Sequence, residues 1–360
     1  MALKVIISGG GTGGHIFPAI AIANAIKRQH PDAAILFVGA EGRMEMEKVP
    51  QAGYEIIGLP IMGIQRRLTL QNLKVPFKVI ASLLKARKII KTFRPDIAIG
   101  VGGYASGPLL RMASMCGVKT LIQEQNSYPG VTNKILAKKA ERICVAYPHL
   151  DKFFPAEKII LTGNPVRSDV WQIEGKKEKA IQHFKLDASR PVLLVIGGSL
   201  GARTINQALD KDAMALVEAG FQIVWQSGKN YSANTKHDQV HVHTFIKEMD
   251  LAYAAADIII SRAGAMSISE LCLVKKPTIL VPSPNVAEDH QTKNAMALVN
   301  VNGAILVKDS EANSTLSKKA IELLNNPAQC SDLSRNIATL AKPDADSTIA
   351  KEVLHICGVK

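Results

Sequence analysis

Short apolar runs alternate along the whole chain with longer stretches of helical periodicity. Strands are expected at residues 4–7, 34–38, 97–100, 119–122, 142–145 and 159–162. A second set follows at 192–196, 222–225, 240–244, 258–261 and 278–281. Several are continuous apolar runs with little alternation. A strand covered on both faces needs no polar side, so this is the pattern of a parallel sheet. Helical stretches separate most of them, and a β-α-β-α order run twice predicts two doubly wound α/β domains. Glycine and proline break the pattern at Gly163-Asn164-Pro165. The expected domains are therefore 1–163 and 164–343, with a final helix in 344–360 that can pack back on the first.

A length of 360 residues suits two domains, and 47% hydrophobic with 21% charged residues is ordinary globular composition. Disorder, collagen and a disulfide scaffold are excluded on composition. The five cysteines are odd in number and none has CxxC spacing, which reads as a reduced chain without a zinc site. The first eight residues run directly into a glycine turn and read as a strand rather than a signal peptide. No stretch reads as a bilayer-spanning helix, so any membrane contact is at the surface. The net charge of +13 is uneven. Residues 1–165 carry 22 basic and 10 acidic side chains, net +12, while residues 166–360 carry 22 and 21. That asymmetry calls for an anionic partner of the first domain: nucleic acid, a phosphate-rich ligand or anionic lipid.

The densest chemical signal is Gly9-Gly10-Gly11-Thr12-Gly13-Gly14-His15, a glycine loop between a strand and a helix. It contains G-x-G-x-x-G, but the acidic residue that a dinucleotide site needs about 20 positions on is missing, Glu41 being late. No lysine follows at Walker spacing. Backbone amides at a helix start suit a phosphate or a sugar, and a plain tight turn is the unremarkable alternative. His15 stands at the mouth of the loop, as a general base or as a cap histidine. Two further loops, Gly100–Pro108 and Gln123-Glu124-Gln125-Asn126, also follow strands and so belong to the same sheet edge, where open α/β sheets bind ligands. In the second half, Ile196-Gly197-Gly198-Ser199 repeats the strand-to-glycine turn. Residues 261–270, SRAGAMSISE, place small residues at a helix start suited to a phosphate. Glu270 offers two acceptor oxygens to neighbouring ribose hydroxyls, or is simply an exposed helix charge. The two D-x-D triplets, at Asp210 and Asp344, do not follow strands and read as caps or surface charge.

Residues 63–94 hold nine basic side chains and no acid, interleaved with Leu68, Leu70, Leu73, Val75, Phe77, Val79, Ile80, Leu83 and Leu84. A basic amphipathic stretch fits an anionic bilayer surface; a crossover helix with a solvated face is the alternative. Nucleic acid is disfavoured because aromatic residues are only 5% of the chain.

Taken in order, GGGTGGHIFPAIAIA (9–23), GVGGYASGP (100–108), QEQNSYPGVTNKILAKKA (123–140), GNPVR (163–167), IGGSLGARTIN (196–206), WQSGK (225–229), SRAGAMSISE (261–270) and DHQTKNA (289–295) span almost the whole chain. The chain resembles the bacterial undecaprenyl-diphospho-muramoylpentapeptide β-N-acetylglucosaminyltransferases of peptidoglycan synthesis. The resemblance implies a GT-B fold, two Rossmann-like domains facing across a cleft. It implies inverting transfer of N-acetylglucosamine from UDP-N-acetylglucosamine to the 4-hydroxyl of a lipid-linked muramoyl-pentapeptide, at the cytoplasmic face of the bacterial inner membrane. No cofactor or metal is implied; an anionic membrane surface met by residues 63–94 and other cell-wall synthesis proteins are. Residue by residue, it implies donor contacts from Thr12, Gly13, Gly14, Asn126, Arg167, Ser199, Ile246, Ala265, Met266, Ser267, Ile268, Ser269, Glu270 and Gln291. Gly102, Gly103 and Tyr104 would hold the acceptor pyrophosphate. His15 is the expected base, with Glu124 as the alternative. A lipid glucosyltransferase using another nucleotide sugar, and a nicotinamide-dependent oxidoreductase or non-catalytic nucleotide-binding module, are the competing readings.

Overall fold

A computed structural model describes residues 2–61, 75–198 and 200–359. The chain divides into two compact units, Met1–Arg167 with Asp344–Lys360, and Ser168–Pro343.

The first unit runs β1 (Lys4–Gly9), α1 (Gly13–Gln29), β2 (Ala34–Ala40), α2 (Glu45–Gln51), β3 (Glu55–Leu59), α3 (Val75–Phe93), β4 (Ile97–Gly102), α4 (Ser106–Met115), β5 (Lys119–Glu124), α5 (Val131–Ala137), β6 (Arg142–Val145) and β7 (Ile159–Leu161). Its seven strands are ordered β3-β2-β1-β4-β5-β6-β7 and every pairing is parallel. Val5, Ile6 and Ile7 are fully buried, as are Ile97, Ala98 and Ile99. Both faces of the central strands are covered, which is why their sequences lack alternation.

The second unit runs α6 (Ser168–Trp171), α7 (Lys177–Phe184), β8 (Val192–Ile196), α8 (Arg203–Glu218), β9 (Gln222–Gln226), β10 (Val240–His243), α9 (Met249–Ala255), β11 (Ile258–Ser261), α10 (Ala265–Val274), β12 (Thr278–Leu280), α11 (His290–Val299), β13 (Ile305–Leu306), α12 (Ala312–Leu324) and α13 (Pro327–Ala338). Its strands are ordered β10-β9-β8-β11-β12-β13, again all parallel. The last helix, α14 (Ala345–Cys357), returns to the first unit. Ile349, Ala350 and Val353 join the core that α1 builds with Ile16, Ile22 and Ile26. Arg28 pairs with Asp346 at 2.6 Å, and Gln29 Nε2 donates to the Ser347 carbonyl and hydroxyl at 3.0 Å.

Two strands carried no expectation from the sequence, β3 and β13. β3 begins on an exposed Glu55 at a sheet edge, and β13 is two half-buried residues at the other sheet's edge. The D-x-D aspartates serve local structure. Asp210 accepts hydrogen bonds from Tyr231, Asn234 and Thr235, fixing that loop, and Asp346 holds Arg28.

Candidate active site

Each sheet reverses its strand order once, between β1 and β4 in the first unit and between β8 and β11 in the second. Connections leave in opposite directions at such a point, opening a crevice beyond the carboxyl ends of the strands where ligands bind. The glycine-rich segments stand at both crevices.

In the first unit the two loops are bonded to each other, the Gly10 amide donating to the Gly102 carbonyl at 3.2 Å. His15 enters on the first turn of α1 with Nδ1 3.0 Å from the Gly10 carbonyl oxygen. A carbonyl only accepts, so Nδ1 carries the proton, and in the neutral ring the lone pair belongs to Nε2. The ring lies against Gly102, whose φ is +113°; a Cβ there would sit 2.7 Å from His15 Nε2. Only glycine allows both this backbone and this approach. The Thr12 carbonyl accepts from the His15 and Ile16 amides at 3.1 Å, so Thr12, Gly13 and Gly14 form the entrance to α1. Gly103 and the exposed Tyr104 continue from Gly102.

A buried carboxylate braces this loop from below. Glu45, on the first turn of α2, accepts from the Gly11 amide at 2.9 Å and the Ala40 amide at 3.0 Å. Gly10 makes room for it, since a Cβ there would fall 2.1 Å from Glu45 Oε1. The sequence carries no marker for this role: Glu45 is one of two acids in a short helix.

At the end of β5, Glu124 is buried with both oxygens occupied. Oε1 accepts from the Asn126 amide at 3.0 Å; Oε2 accepts from the Gly130 amide at 3.2 Å and Asn133 Nδ2 at 2.8 Å. This geometry suits holding the 124–133 loop, with Asn126 on it, more than abstracting a proton. A buried amide cluster ties neighbouring segments together. Gln123 Nε2 donates to Asn164 Oδ1 at 2.9 Å, and Asn164 Nδ2 to the Gln125 carbonyl at 3.1 Å. Arg167 is exposed, its guanidinium 5.4 Å from the centre of the Phe17 ring.

In the second unit α10 begins at the carboxyl edge of β11, and the Gly264 carbonyl closes its first turn with the Ile268 amide at 2.9 Å. Ala265, Met266, Ser267, Ile268 and Ser269 thus form a helix N-terminus whose dipole favours anions. Ser269 Oγ donates back to the Ala265 carbonyl at 3.1 Å. Arg262, just before the helix, is held by the Val281 and Pro282 carbonyls and by an ion pair with Asp309. Asp309 also accepts from Thr204 on α8 at 2.9 Å, which links both sides of the crevice. Glu270 Oε2 accepts from the Tyr253 hydroxyl at 2.8 Å. Ile246 is buried, and its amide donates to Gln226 Oε1 at 2.9 Å; Gln226 Nε2 donates in turn to the Gly198 carbonyl at 3.0 Å. Gln226 therefore couples the Ile246 segment to the β8 glycine turn. Gln291 Oε1 accepts from the Ser283 amide at 2.8 Å. Ser199 lies outside the described residues. Among the described residues there is no cluster of histidine, cysteine and acidic side chains arranged to hold a metal.

Two doubly wound parallel sheets with glycine-rich loops at both switch points are the architecture of the GT-B fold. The glycosyltransferase family 28 N-terminal domain matches residues 5–145 and the family 28 C-terminal domain matches residues 192–349. The chain belongs to glycosyltransferase family 28. It is 56% identical over 357 residues to the UDP-N-acetylglucosamine–N-acetylmuramyl-(pentapeptide) pyrophosphoryl-undecaprenol N-acetylglucosamine transferase of Flavobacterium psychrophilum, covering 98% of this chain and 97% of that protein. The protein of the same name from Bacteroides fragilis is 58% identical over 364 residues, covering 99% and 96%. The crystal structure of MurG from Acinetobacter baumannii superposes with a TM-score of 0.77 at 26% identity, covering 98% of this chain and 99% of that one.

Proposed function

We propose that this chain transfers N-acetylglucosamine from UDP-N-acetylglucosamine to the lipid-linked muramyl-pentapeptide pyrophosphoryl-undecaprenol of peptidoglycan synthesis. The observation that carries this reading is near-complete coverage, at more than half identity, of relatives that bear that name. The first turn of α10, at the second unit's switch point, also offers the helix N-terminal backbone that favours an anion.

The acceptor 4-hydroxyl oxygen attacks C1 of the sugar, the bond from C1 to the diphosphate oxygen breaks, and the hydroxyl proton passes to a base. A single displacement of this kind inverts C1. His15 is the base: the Gly10 carbonyl fixes its tautomer and leaves the lone pair on Nε2. UDP departs with added negative charge, which the first-turn amides of α10 and the helix dipole stabilise. In the second unit Glu270 takes the ribose, the backbone at Ile246 reads the uracil, and Gln291 contacts the sugar. Arg167 and Ser199 serve the diphosphate. Gly102, Gly103 and Tyr104 take the acceptor pyrophosphate, and Glu124 orders the loop that carries Asn126. The first unit is the acceptor and membrane domain, and the second is the donor domain.

Of the expected membrane stretch 63–94, residues 63–74 lie outside the described residues, and the reading rests on α3. Phe77, Ile80 and Leu84 are 76%, 56% and 63% exposed, and their three- and four-residue spacing puts them on one helix face. Lys78, Arg87, Lys88 and Lys91 surround that face, while Lys85 is paired with Glu41 at 2.8 Å. A groove of about 940 Å³ between α3 and α4, lined by Leu83, Leu84, Ile90, Met112 and Met115 under Arg87 and Arg94, continues the same surface. Among the described residues no helix is long and apolar enough to cross a membrane. A lipid-linked substrate, an apolar stripe and a basic rim together support peripheral binding at the inner face of the cell membrane.

The test is product analysis with UDP-N-acetylglucosamine and a short-chain lipid acceptor. A β-linked disaccharide supports the reading, and failure to use this donor while another nucleotide sugar is used overturns it. An α-linked product removes the single-displacement mechanism.

A further inference from the structure

Helix α9 contributes five consecutive buried residues, Leu251 to Ala255, and Tyr253 among them is fully buried. A buried phenol hydroxyl needs an acceptor. Here the acceptor is not a backbone carbonyl of the core but Glu270 Oε2, at 2.8 Å, on a half-buried side chain of α10. We propose that Tyr253 is a positioning residue for donor binding, holding the Glu270 carboxylate in the orientation that receives the two ribose hydroxyls of the UDP-sugar. The proposal rests on the reading of Glu270 as the ribose contact and goes one residue beyond it.

The physical case has three parts. A glutamate has three rotatable bonds, and a ligand that needs both its oxygens in one plane must otherwise freeze all three on binding. One hydrogen bond to Oε2 from a ring that cannot move sets the last of these torsions in advance. Each carboxylate oxygen has two acceptor positions, so Oε2 can serve Tyr253 and a ribose hydroxyl together. The donor is also permanent. Burial, followed by the charge of Glu270 and its hydrogen bond, pushes the Tyr253 hydroxyl well above its ordinary value, so it keeps its proton wherever the enzyme works.

The experiment compares wild type and Tyr253→Phe on two donors, UDP-N-acetylglucosamine and its 2′,3′-dideoxyribose counterpart. Phenylalanine keeps the buried ring and removes only the hydroxyl. On the ribose donor the variant is expected to lose about tenfold in kcat/KM, nearly all of it in KM, because the lost interaction acts on binding and not on the reacting bond. On the dideoxy donor the two enzymes should agree within about twofold, since the hydroxyls that Tyr253 serves are gone. A purely structural role predicts equal losses on both donors, and that result overturns the proposal, as does an undiminished KM on the ribose donor. A wild-type enzyme that does not distinguish the two donors overturns the Glu270 reading itself. That outcome is visible before the variant is measured, so the two failures are separable. The dideoxy reaction of the same preparation also controls for the fold of the variant.

Discussion

His15 Nδ1 donates to the carbonyl of Gly10 at 3.0 Å, inside the same loop that the Gly10 amide ties to Gly102. One residue thus links the tautomer of the imidazole to the register of the two glycine loops. His15→Ala should lower kcat at saturating substrates by about 10²–10⁴, the range for loss of a general base. Its unfolding midpoint should barely move, because only a half-buried ring on the first turn of α1 is removed. A near-normal kcat would exclude His15 as the base. Gly102→Ala probes the same point from the other side. Its Cβ would press on the ring at 2.6 Å from Cδ2, at a backbone φ of +113°. The strain costs about 1–3 kcal/mol, and the ring must leave its place, so kcat should fall while the KM for the donor holds. Steady-state kinetics beside thermal unfolding checks both.

Glu45 is expected to matter for a different reason. Its two oxygens satisfy the Gly11 and Ala40 amides in a site with 1% exposure. Glu45→Gln keeps one acceptor oxygen and turns an NH2 group toward an N–H donor, so one buried amide loses its partner. That costs about 1–3 kcal/mol, readable by denaturant unfolding. The loosened loop carries His15, so kcat should drop with it. An unchanged unfolding midpoint would show that the carboxylate does not brace the loop.

The contrast between these two residues shows what the sequence makes legible. The loop with His15 is visible because its chemistry is local: a strand, six residues of glycine and threonine, then a helix, all contiguous. The same holds for the buried strands of both sheets, whose apolar runs need no partner to be recognised. Glu45 is silent because its partner Gly11 is 34 positions away, and only the fold of β2 and α2 brings them together. Gln226 is silent likewise, since nothing in WQSGK says that its amide will span from Gly198 to Ile246. Glu124 was readable as a carboxylate at a ligand edge, but not as one already saturated by its own loop. Where bonds are made between distant segments, side-chain identity alone leaves several roles open.

His243 gives a pH prediction. It lies on β10 with Nε2 buried and without a hydrogen-bond partner among the described residues, its ring 5.4 Å from that of Phe184. Burial, helped by nearby His241 and His183, pushes its imidazole below the ordinary value of 6.5. In the unfolded chain the ring takes up a proton near that value, while in the folded chain it does not. The unfolded state therefore binds more protons in the interval, and stability rises with pH across it. Unfolding midpoints should be level above about pH 6.5 and fall as pH is lowered from there toward the depressed folded value. His241 shifts in the same direction, mainly through burial, and adds to the slope. His243→Gln, neutral throughout, should flatten part of the fall. A midpoint equally steep in the variant would place the acid sensitivity elsewhere.

The exposed stripe on α3 makes the membrane reading quantitative. Phe77 and Leu84 are 76% and 63% exposed on one face of a helix that carries its basic residues alongside. Burying a large apolar side chain is worth about 1.5–3 kcal/mol when complete. Even partial insertion of two such side chains should therefore shift partitioning by about tenfold or more. The double variant Phe77→Ser with Leu84→Ser should lose that much co-sedimentation with vesicles rich in anionic lipid. Its kcat on a soluble short-chain acceptor should stay within about twofold, since neither residue lies at the switch-point loops. The basic residues should show themselves separately: raising salt weakens binding of the wild type by screening, whereas the apolar contribution persists. Binding that ignores both lipid charge and salt, or a double variant that sediments like wild type, would mean that α3 is only a crossover helix with a solvated face.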